Sequence, residues 1–455
     1  MRKILLAISF WAFATSAGAA TLQPDAVLPS SITVQIEEIG QVGAAAPGNN
    51  YASPVSVDGD LLFVDQRGSV QQQTATGFLT VLDAASAPPG VTAVGSQAVV
   101  NIADGAGDEV FVAFTSSTLP SGMTASALPS DPLYDATPTV FQVVYKYQRA
   151  ADGTLSNPTA LTAFETVSRG HRGGGMIVLP DGNLLYATGD NLTFNRDGLA
   201  APQQDGEHVS KLLIVDRTSG AVTVAGKGVR NVQQMTYTDD SKTQIAFGDI
   251  GASTAEEVNI VDVAELTDLT AVENFGWGRN ADGNAREGTF YINDGATSVP
   301  GTTATAIGTA PVPEAGFIQP YAQFGRPAGQ TFIAVSGPIA SDASFDVIDL
   351  LFSDLSQGGL YATTAGFGGT LNDVFAVNLV DGTGAATSLL SLAGGSRADP
   401  RLFTYADGTA GVLLEGTGKF YRLTELDLTA VPLPAGMLLL LSGLGGLLVL
   451  RRQRA

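Results

Sequence analysis

The chain has 455 residues, of which 44% are hydrophobic and 15% are charged; 54 are glycine and none is cysteine. This apolar content can build a core, which argues against extended disorder, and the absence of a Gly-x-y period excludes a collagen-like structure. The net charge of −21 argues against nucleic acid as a partner, because phosphate binding needs a cationic face.

The first twenty residues have the pattern of a secretory signal peptide. Arg2 and Lys3 form a positive start, residues 4–14 are apolar but too short to span a bilayer, and residues 17–19 (Ala-Gly-Ala) fit the small-residue cleavage rule. The alternative is a buried N-terminal helix. We expect a signal peptide at residues 1–20 and an exported protein in the periplasm or at the cell surface.

Short apolar runs rich in Val, Ile, Phe and Tyr recur between residues 21 and 429, which indicates an all-β domain. Asp-Gly pairs, which favour tight hairpin turns, punctuate the domain. The runs are Leu61–Val64, Val110–Phe114, Leu184–Thr188, Leu212–Val215, Phe332–Val335, Val374–Leu379 and Gly411–Leu414, and the pairs begin at Asp58, Asp152, Asp181, Asp282, Asp381 and Asp407. Helical periodicity is weak, and its best candidate is Val261–Val272.

Two architectures fit this many short strands. No Pro/Ser-rich linker divides residues 21–429, so the domain is either a set of sandwiches or one β-propeller. Blades of four strands would take roughly 60–70 residues each here, which gives about six blades. Periodicity alone leaves both architectures open.

The most informative segment is Gly170–Asn195, in which His171 precedes three nearby glycines, a strand, a Pro-Asp-Gly turn, a second strand and Asp190. The hairpin returns the chain to its starting edge, so we expect Asp190 beside His171. A carboxylate in that place fixes the tautomer of the imidazole and stabilises the imidazolium. The glycines would let a flat ligand approach the backbone. The alternative is a hairpin that contains a structural histidine.

This segment resembles the His-x-Gly-Gly … Pro-Asp-Gly-x-Leu-Tyr-x-x-x-Gly-Asp signature of the PQQ-dependent sugar dehydrogenases, the glucose/sorbosone dehydrogenase family. Further blocks resemble that family in the same order and favour the propeller. They are Lys211–Asp216, Gly228–Gln233, Asp249–Gly251, Glu256–Asn259 and Asn274–Trp277, with weaker matches at Gln319–Gln323, Ser353–Gly358 and Arg397–Leu423.

The resemblance implies an all-β, six-bladed β-propeller of four-stranded blades over residues 21–429, with its cofactor near the axis. His171 would act as the general base on a sugar hydroxyl while hydride passes to PQQ, Asp190 would orient His171, and Arg230 would hydrogen-bond the quinone oxygen. Asn231 would lie beside Arg230. The resemblance also assigns Asn195, Arg397 and Arg401 to the cofactor, and a calcium ion to backbone carbonyls near Gly251 and Ala252.

Some positions depart from the family pattern. Arg172 stands where the family often has asparagine, Ser356–Gly358 replaces a segment that contains a lysine, and Arg397 and Arg401 are four residues apart where a closer pair is usual. PQQ carries three carboxylates, which cations normally neutralise. The departures leave open a second hypothesis, a catalytically inactive surface or matrix propeller that binds glycans or partner proteins.

Other residues keep two interpretations. The Arg230-Asn231 pair could bridge two blades, and Glu256-Glu257 could be structural. Trp277 could stack on a sugar or pack in the core. We expect His208 on a surface loop.

Residues 431–435 read Val-Pro-Leu-Pro-Ala and begin the last distinctive segment. An uncharged run of 16 residues, Ala435–Leu450, precedes a cluster of Arg451, Arg452 and Arg454. These features resemble the VPLPA variety of PEP-CTERM sorting signals. The resemblance implies a transmembrane helix within residues 430–455, anchoring in the inner membrane that is at least transient, and recognition by an exosortase-type sorting enzyme. The alternative is a plain C-terminal anchor.

Overall fold

The computed structural model describes residues 32–42, 51–66, 68–83, 88–92, 99–105, 107–129, 139–167, 170–191, 201–251, 255–279, 285–287, 290–292, 316–325, 335–341, 343–370 and 372–427. The predicted signal peptide and sorting segment lie outside these residues. Within the described part, no helix combines the length and the apolar character that a membrane span requires.

Six sheets, each antiparallel in its four blade strands, form a six-bladed β-propeller, as the sequence predicts. The first strand, β1 (Ile32–Gln41), belongs to the last blade. Blade 1 contains β2 (Val55–Val57), β3 (Asp60–Asp65), β4 (Ser69–Thr74) and β5 (Gly77–Asp83). Blade 2 contains β6 (Val99–Asp104), β7 (Glu109–Ser116), β8 (Thr139–Arg149) and β9 (Leu155–Val167). Blade 3 contains β10 (Gly173–Val178), β11 (Leu184–Thr188), β12 (Lys211–Val215) and β13 (Val222–Lys227).

Blade 4 begins with β14 (Val232–Tyr237), β15 (Gln244–Asp249) and β16 (Ala255–Asp262). The short helix α1 (Val263–Asp268) follows, and β17 (Glu273–Asn274) then adds to the edge of blade 3. A small separate sheet contains β18 (Gly278–Arg279), β19 (Ala285–Glu287) and β20 (Phe290–Ile292). Strand β21 (Ala322–Gly325) completes blade 4.

Blade 5 contains β22 (Val335–Ile339), β23 (Leu350–Asp354), β24 (Leu360–Thr363) and β25 (Phe375–Ala376). Strand β26 (Asn378–Val380) and the helix α2 (Leu389–Ala393) lead to blade 6. Blade 6 contains β27 (Pro400–Thr404), β28 (Ala410–Leu414) and β29 (Lys419–Asp427). Strand β1 pairs antiparallel with β29, so the N-terminal strand closes the ring.

The blade interiors explain why the sequence shows apolar runs instead of strict alternation. Strands β11, β12, β23 and β28 are buried at every residue, because each blade packs its two faces against its two neighbours. A strand covered on both faces has no solvent side that would require polar residues. The first strands of the six blades contact one another in ring order and surround the axis.

The structure confirms the predicted turn at residues 58–59 and part of the predicted helix. Asp58 and Gly59 both have positive φ, at 49° and 89°, and join β2 to β3 as a two-residue hairpin turn. The helix is confirmed but is shorter than predicted, at Val263–Asp268. The predicted run Val374–Leu379 is wrong as one strand, because the chain crosses there from β25 of blade 5 to β26 beside β1.

A buried lysine fixes the segment that precedes β12. The Lys211 side chain is inaccessible to solvent, and its Nζ donates to the carbonyl oxygens of Ala201, Pro202 and Val209 at 3.0, 2.9 and 2.7 Å. The preceding residue, Ser210, donates its N–H to the Gly189 carbonyl. The Ser210 carbonyl in turn accepts from the Gly228 N–H. Lys211 therefore anchors a segment that ties together the two loops on either side.

Replacing Lys211 by methionine should lower the free energy of unfolding by about 3 kcal/mol, because three buried carbonyl groups lose their hydrogen-bond donor. Urea unfolding monitored by circular dichroism measures the change. The matched control is Lys227→Met. Lys227 is the direct partner of Lys211 across β12 and β13, and it pairs with the exposed Asp205. The control should cost less than about 1 kcal/mol, and equal losses in the two variants would contradict the proposed role.

Candidate active site

The β10–β11 hairpin places His171 beside Asp190, as its geometry predicts. The His171 Nδ1 lies 3.0 Å from Asp190 Oδ1. The Asp190 side chain is fully buried, whereas the His171 side chain is 25% exposed. The imidazole is therefore held on one side by a carboxylate while part of the ring faces solvent.

The glycines around this pair allow close packing of the backbone. A Cβ on Gly189 would lie 2.0 Å from the His171 carbonyl oxygen, and one on Gly173 would lie 2.5 Å from the Ala187 carbonyl oxygen. A Cβ on Gly174 would meet the Val100 side chain of blade 2 at 2.5 Å. Close packing within the protein is therefore a sufficient reason for glycine at these positions, and the approach of a flat ligand stays a prediction.

Arg230 enters the same cluster from the loop between β13 and β14. Its Nη2 lies 3.2 Å from His171 Nδ1, and its Nε lies 3.5 Å from Asp190 Oδ2. Its Nη1 donates to the carbonyl oxygens of Ile250 and Gly251 at 2.7 and 2.6 Å. The side chain is 5% exposed, so this guanidinium is buried and surrounded by acceptors.

Asp249 fixes the backbone that carries Arg230. Its carboxylate accepts the N–H of Arg230 at 2.9 and 2.8 Å and the N–H of Asn231 at 2.7 Å. The Asn231 side-chain oxygen in turn accepts the Gly173 N–H at 3.1 Å, which ties this loop to the histidine hairpin. Burial raises the pKa of Asp249 to about 6, although both N–H groups and the Arg230 charge favour the ionised form.

Asp249 is a site residue to which sequence reasoning gave no role. It is the only acid in the strand QIAFGD and ends that strand. A lone acid at the buried end of an apolar strand is a signal that could have found it, because such a group needs donors from a neighbouring loop.

The His171 Nδ1 atom lies within hydrogen-bond distance of two groups, the Asp190 carboxylate and the Arg230 guanidinium. Nδ1 can carry a proton and donate to Asp190, or it can lack one and accept from Arg230, but it cannot do both. In the first state the proton-free nitrogen is Nε2. Asp190 therefore favours the tautomer in which Nε2 can act as a base, and Arg230 competes for the same nitrogen.

The remaining predicted cofactor residues are placed differently. Arg397 is exposed and its Nε donates to the Asp399 carboxylate at 2.6 and 2.7 Å. Arg401 donates to Gln233 Oε1 at 3.0 Å and to Glu415 Oε2 at 3.1 Å. Both arginines of blade 6 are thus paired with acids of their own blade, and their predicted contact with a cofactor stays a prediction.

Two further predicted residues, Asn195 and Ala252, lie outside the described residues, and the Gly251 carbonyl is bonded to Arg230 as given above. The described part of the chain holds no group of three or more His, Asp or Glu side chains that could chelate a metal ion. The sequence-predicted calcium site is therefore represented only by backbone oxygens.

The residues with two interpretations are now placed. Trp277 is 3% exposed and packs under Arg230, whose guanidinium carbon lies 5.3 Å from the ring centroid. Glu256 is buried and accepts the N–H groups of Gly251 and Val335, which gives it a structural role. His208 is buried, which overturns its expected surface position, because its ring stacks on Phe164 and faces the Glu165 carbonyl.

Comparisons with solved structures show the fold. The PQQ-bound aldose sugar dehydrogenase from Streptomyces coelicolor has a TM-score of 0.53 and 17% identity over 86% of this chain and 98% of its own. A Thermus thermophilus protein described as a putative oxidoreductase (glucose dehydrogenase) has a TM-score of 0.53 and 14% identity over 86% of this chain and 99% of its own. A Trichoderma reesei protein of carbohydrate-active enzyme family AA12 has a TM-score of 0.50 and 13% identity over 86% of this chain and 96% of its own.

No protein-family model and no curated protein matches the chain. At the identities of the structural neighbours, the likeness establishes a shared six-bladed propeller and nothing finer about activity. The chemistry of this chain has to be argued from its own site.

Asp249 should make stability depend on pH. Its pKa is higher in the folded chain than its ordinary value of 3.8, so the folded chain binds more protons between about pH 4 and 6. Wild-type protein should therefore lose up to about 3 kcal/mol of stability relative to Asp249→Asn as the pH rises through this window. Urea unfolding of both proteins from pH 4 to 7 tests this. Parallel stability curves would show that Asp249 does not titrate as described.

Proposed function

We propose that this propeller oxidises a hydroxyl group of a sugar and passes hydride to a quinone of the PQQ type. One observation carries the proposal: His171, Asp190 and Arg230 meet within hydrogen-bond distance, at 3.0 and 3.2 Å from His171 Nδ1. A base held by a carboxylate, next to a fixed positive charge, is what removal of a hydroxyl proton and of a hydride requires. The similar fold of a PQQ-bound aldose sugar dehydrogenase supports the same choice.

The residues present fit the quinone of PQQ and some of its carboxylates. Arg230 supplies a buried positive charge next to the base. The exposed Arg397–Asp399 pair is weak in water and can exchange its carboxylate for one of a ligand. Arg401 is harder to recruit, because its partner Glu415 is buried with it. We therefore assign Arg230 and Arg397 to the cofactor.

The donor set for calcium fits less well. The carbonyl oxygens of Ile250 and Gly251 already accept from Arg230, and a divalent cation there would meet the guanidinium charge. Calcium would have to displace Arg230 from those oxygens. The steps proposed for the side chains do not involve a metal ion.

Each side chain of the site has a separate role in the proposed reaction. When bound, PQQ would supply the acceptor for one hydride, which carries both electrons of the oxidation. His171 Nε2 accepts the proton of the substrate hydroxyl as the carbon–hydrogen bond breaks, and the C–O bond becomes a carbonyl. Asp190 stabilises the imidazolium that forms. The Arg230 guanidinium stabilises the negative charge that develops on the acceptor oxygen.

A second candidate is a catalytically inactive propeller that binds glycans or partner proteins. The observation that favours it is the pairing already present: Arg397, Arg401 and Arg230 each have acidic or carbonyl partners. A site whose charges are already balanced has less to offer an anionic cofactor. Activity of the purified protein decides between the two candidates.

Purified protein supplied with PQQ and calcium should reduce a dye in the presence of an aldose. Replacing His171 by alanine should lower kcat about 100- to 10,000-fold, because the general base is lost. Circular dichroism shows whether the variant is folded, and His208→Ala is the matched control histidine away from the reaction. Failure to bind PQQ, with no oxidation of common aldoses, would reject the dehydrogenase and favour the inactive propeller.

We also propose export, followed by sorting at the C-terminus. The support is the pattern of residues 1–20 and the order of motif, apolar run and arginines in residues 431–454. The mature protein would then reach the periplasm or the cell surface, with the apolar run in the inner membrane at least transiently and an exosortase-type enzyme as a partner.

Mass spectrometry of the mature protein tests the sorting proposal. Cleavage by a sorting enzyme predicts peptides that end near Pro434 or Ala435. Recovery of intact peptides that extend through Leu450 would favour a plain membrane anchor instead.

A further inference from the structure

A cavity lies on the propeller axis at the end opposite His171. Its volume is about 780 Å³, and all six blades contribute to its wall. His171 and Arg230 lie just before the starts of β10 and β14, whereas the cavity is lined by the ends of those strands, such as Val178 and Tyr237. This volume is within the range of small-molecule sites.

A layer of hydrogen-bonded side chains separates the two ends of the axis. Gln234 Nε2 donates to the Leu402 carbonyl at 2.6 Å, and Ser53 Oγ donates to Gln234 Oε1 at 2.8 Å. Asn101 Nδ2 donates to the Gly174 carbonyl at 3.1 Å. Because Ser53, Asn101 and Gln234 also line the cavity, this layer forms its floor, and the cavity is a separate site.

The wall of the cavity is acidic. Asp104, Asp239, Asp240 and Asp407 line it against the single cation Lys242. Asp407 is paired with Arg422 at 2.9 Å, but the other three carboxylates have no arginine or lysine within ion-pair distance among the described residues. An anionic occupant would be repelled.

Two residues of the wall, Asp104 and Thr238, each have one buried polar atom. Asp104 Oδ1 and Thr238 Oγ1 have no hydrogen-bond partner in the described part of the chain, and Thr238 is only 2% exposed. Burial and the charge of Asp58 raise the pKa of Asp104 to about 6, with Lys242 and Arg149 acting in the opposite direction.

A metal ion is the poorer occupant. The described residues contain no cluster of three acidic or histidine side chains close enough to chelate one, so the carboxylates are spread around a space far larger than an ion. The wall also has an apolar part, which includes Met235, Ile339 and Phe403. The Lys242 ammonium already lies 5.5 Å from the Tyr237 ring centroid, so this wall accommodates an ammonium group.

We propose that this axial cavity binds an organic amine, whose ammonium groups face the carboxylates and whose carbon body lies on the apolar wall. Lys242 occupies part of the cation position and competes with the amine. The site is independent of the proposed dehydrogenase reaction, since a polar layer divides the two.

The test uses two probes of the same shape, 1,6-diaminohexane and hexane-1,6-diol, titrated calorimetrically into the full-chain protein at pH 7.5 and low salt. The diamine should bind at least about tenfold more tightly than the diol, because only the diamine carries charge. Asp240→Asn should weaken the affinity for the diamine by about three- to tenfold, and Lys242→Gln should strengthen it by a similar factor. Both residues are exposed, so neither change should disturb folding.

The matched control is Asp346→Asn, an exposed aspartate outside the cavity, which should leave diamine binding unchanged. Opposite effects of Asp240→Asn and Lys242→Gln with an unchanged control would support the site. Absence of diamine binding, equal affinity for the diol, or equal effects of all three variants would overturn it. A loss of dehydrogenase activity alone has no bearing on this result, because neither probe is a sugar.

Discussion

The buried guanidinium of Arg230 is the interaction on which the candidate site depends. A charge with 5% exposure is stable only when it is paired and hydrogen-bonded, because desolvation of an ion costs several kcal/mol. Asp190 supplies the opposite charge, the carbonyls of Ile250 and Gly251 supply acceptors, and Asp249 holds the backbone. His171 completes the set, so the proposed base and the charge are positioned by one network.

The same network is compatible with both candidate functions. If the Arg230 guanidinium can move from its present acceptors to a ligand, His171 Nδ1 can donate to Asp190 and Nε2 can serve as a base. If it cannot, the cluster is a stable polar core between blades 3 and 4. The difference between the two cases lies in the free energy of exchanging two carbonyl hydrogen bonds for contacts with one ligand.

The sequence predicted the parts of the site that are close along the chain. His171 and Asp190 are 19 residues apart in one hairpin, and the length of the hairpin and its Pro-Asp-Gly turn are enough to predict their meeting. The six-bladed architecture was also predicted, through a resemblance spread over many short blocks. The pairing of Arg397 with Asp399 and of Arg401 with Glu415 was not predicted, because motif comparison assigns residues to a ligand without regard to nearer acids.

By itself, the sequence determined the all-β class, the Asp-Gly turn at residues 58–59 and the histidine–carboxylate pair, since each depends on backbone preferences and contacts within one hairpin. Only the tertiary structure decided that Arg230 reaches His171 across 59 residues and that Arg401 reaches Gln233 across 168. It also decided that Asp249 clamps the arginine loop and that six strand ends enclose an acidic cavity. Such contacts are set by ring closure and by strand register between blades, and neither is encoded in the local pattern of any one segment.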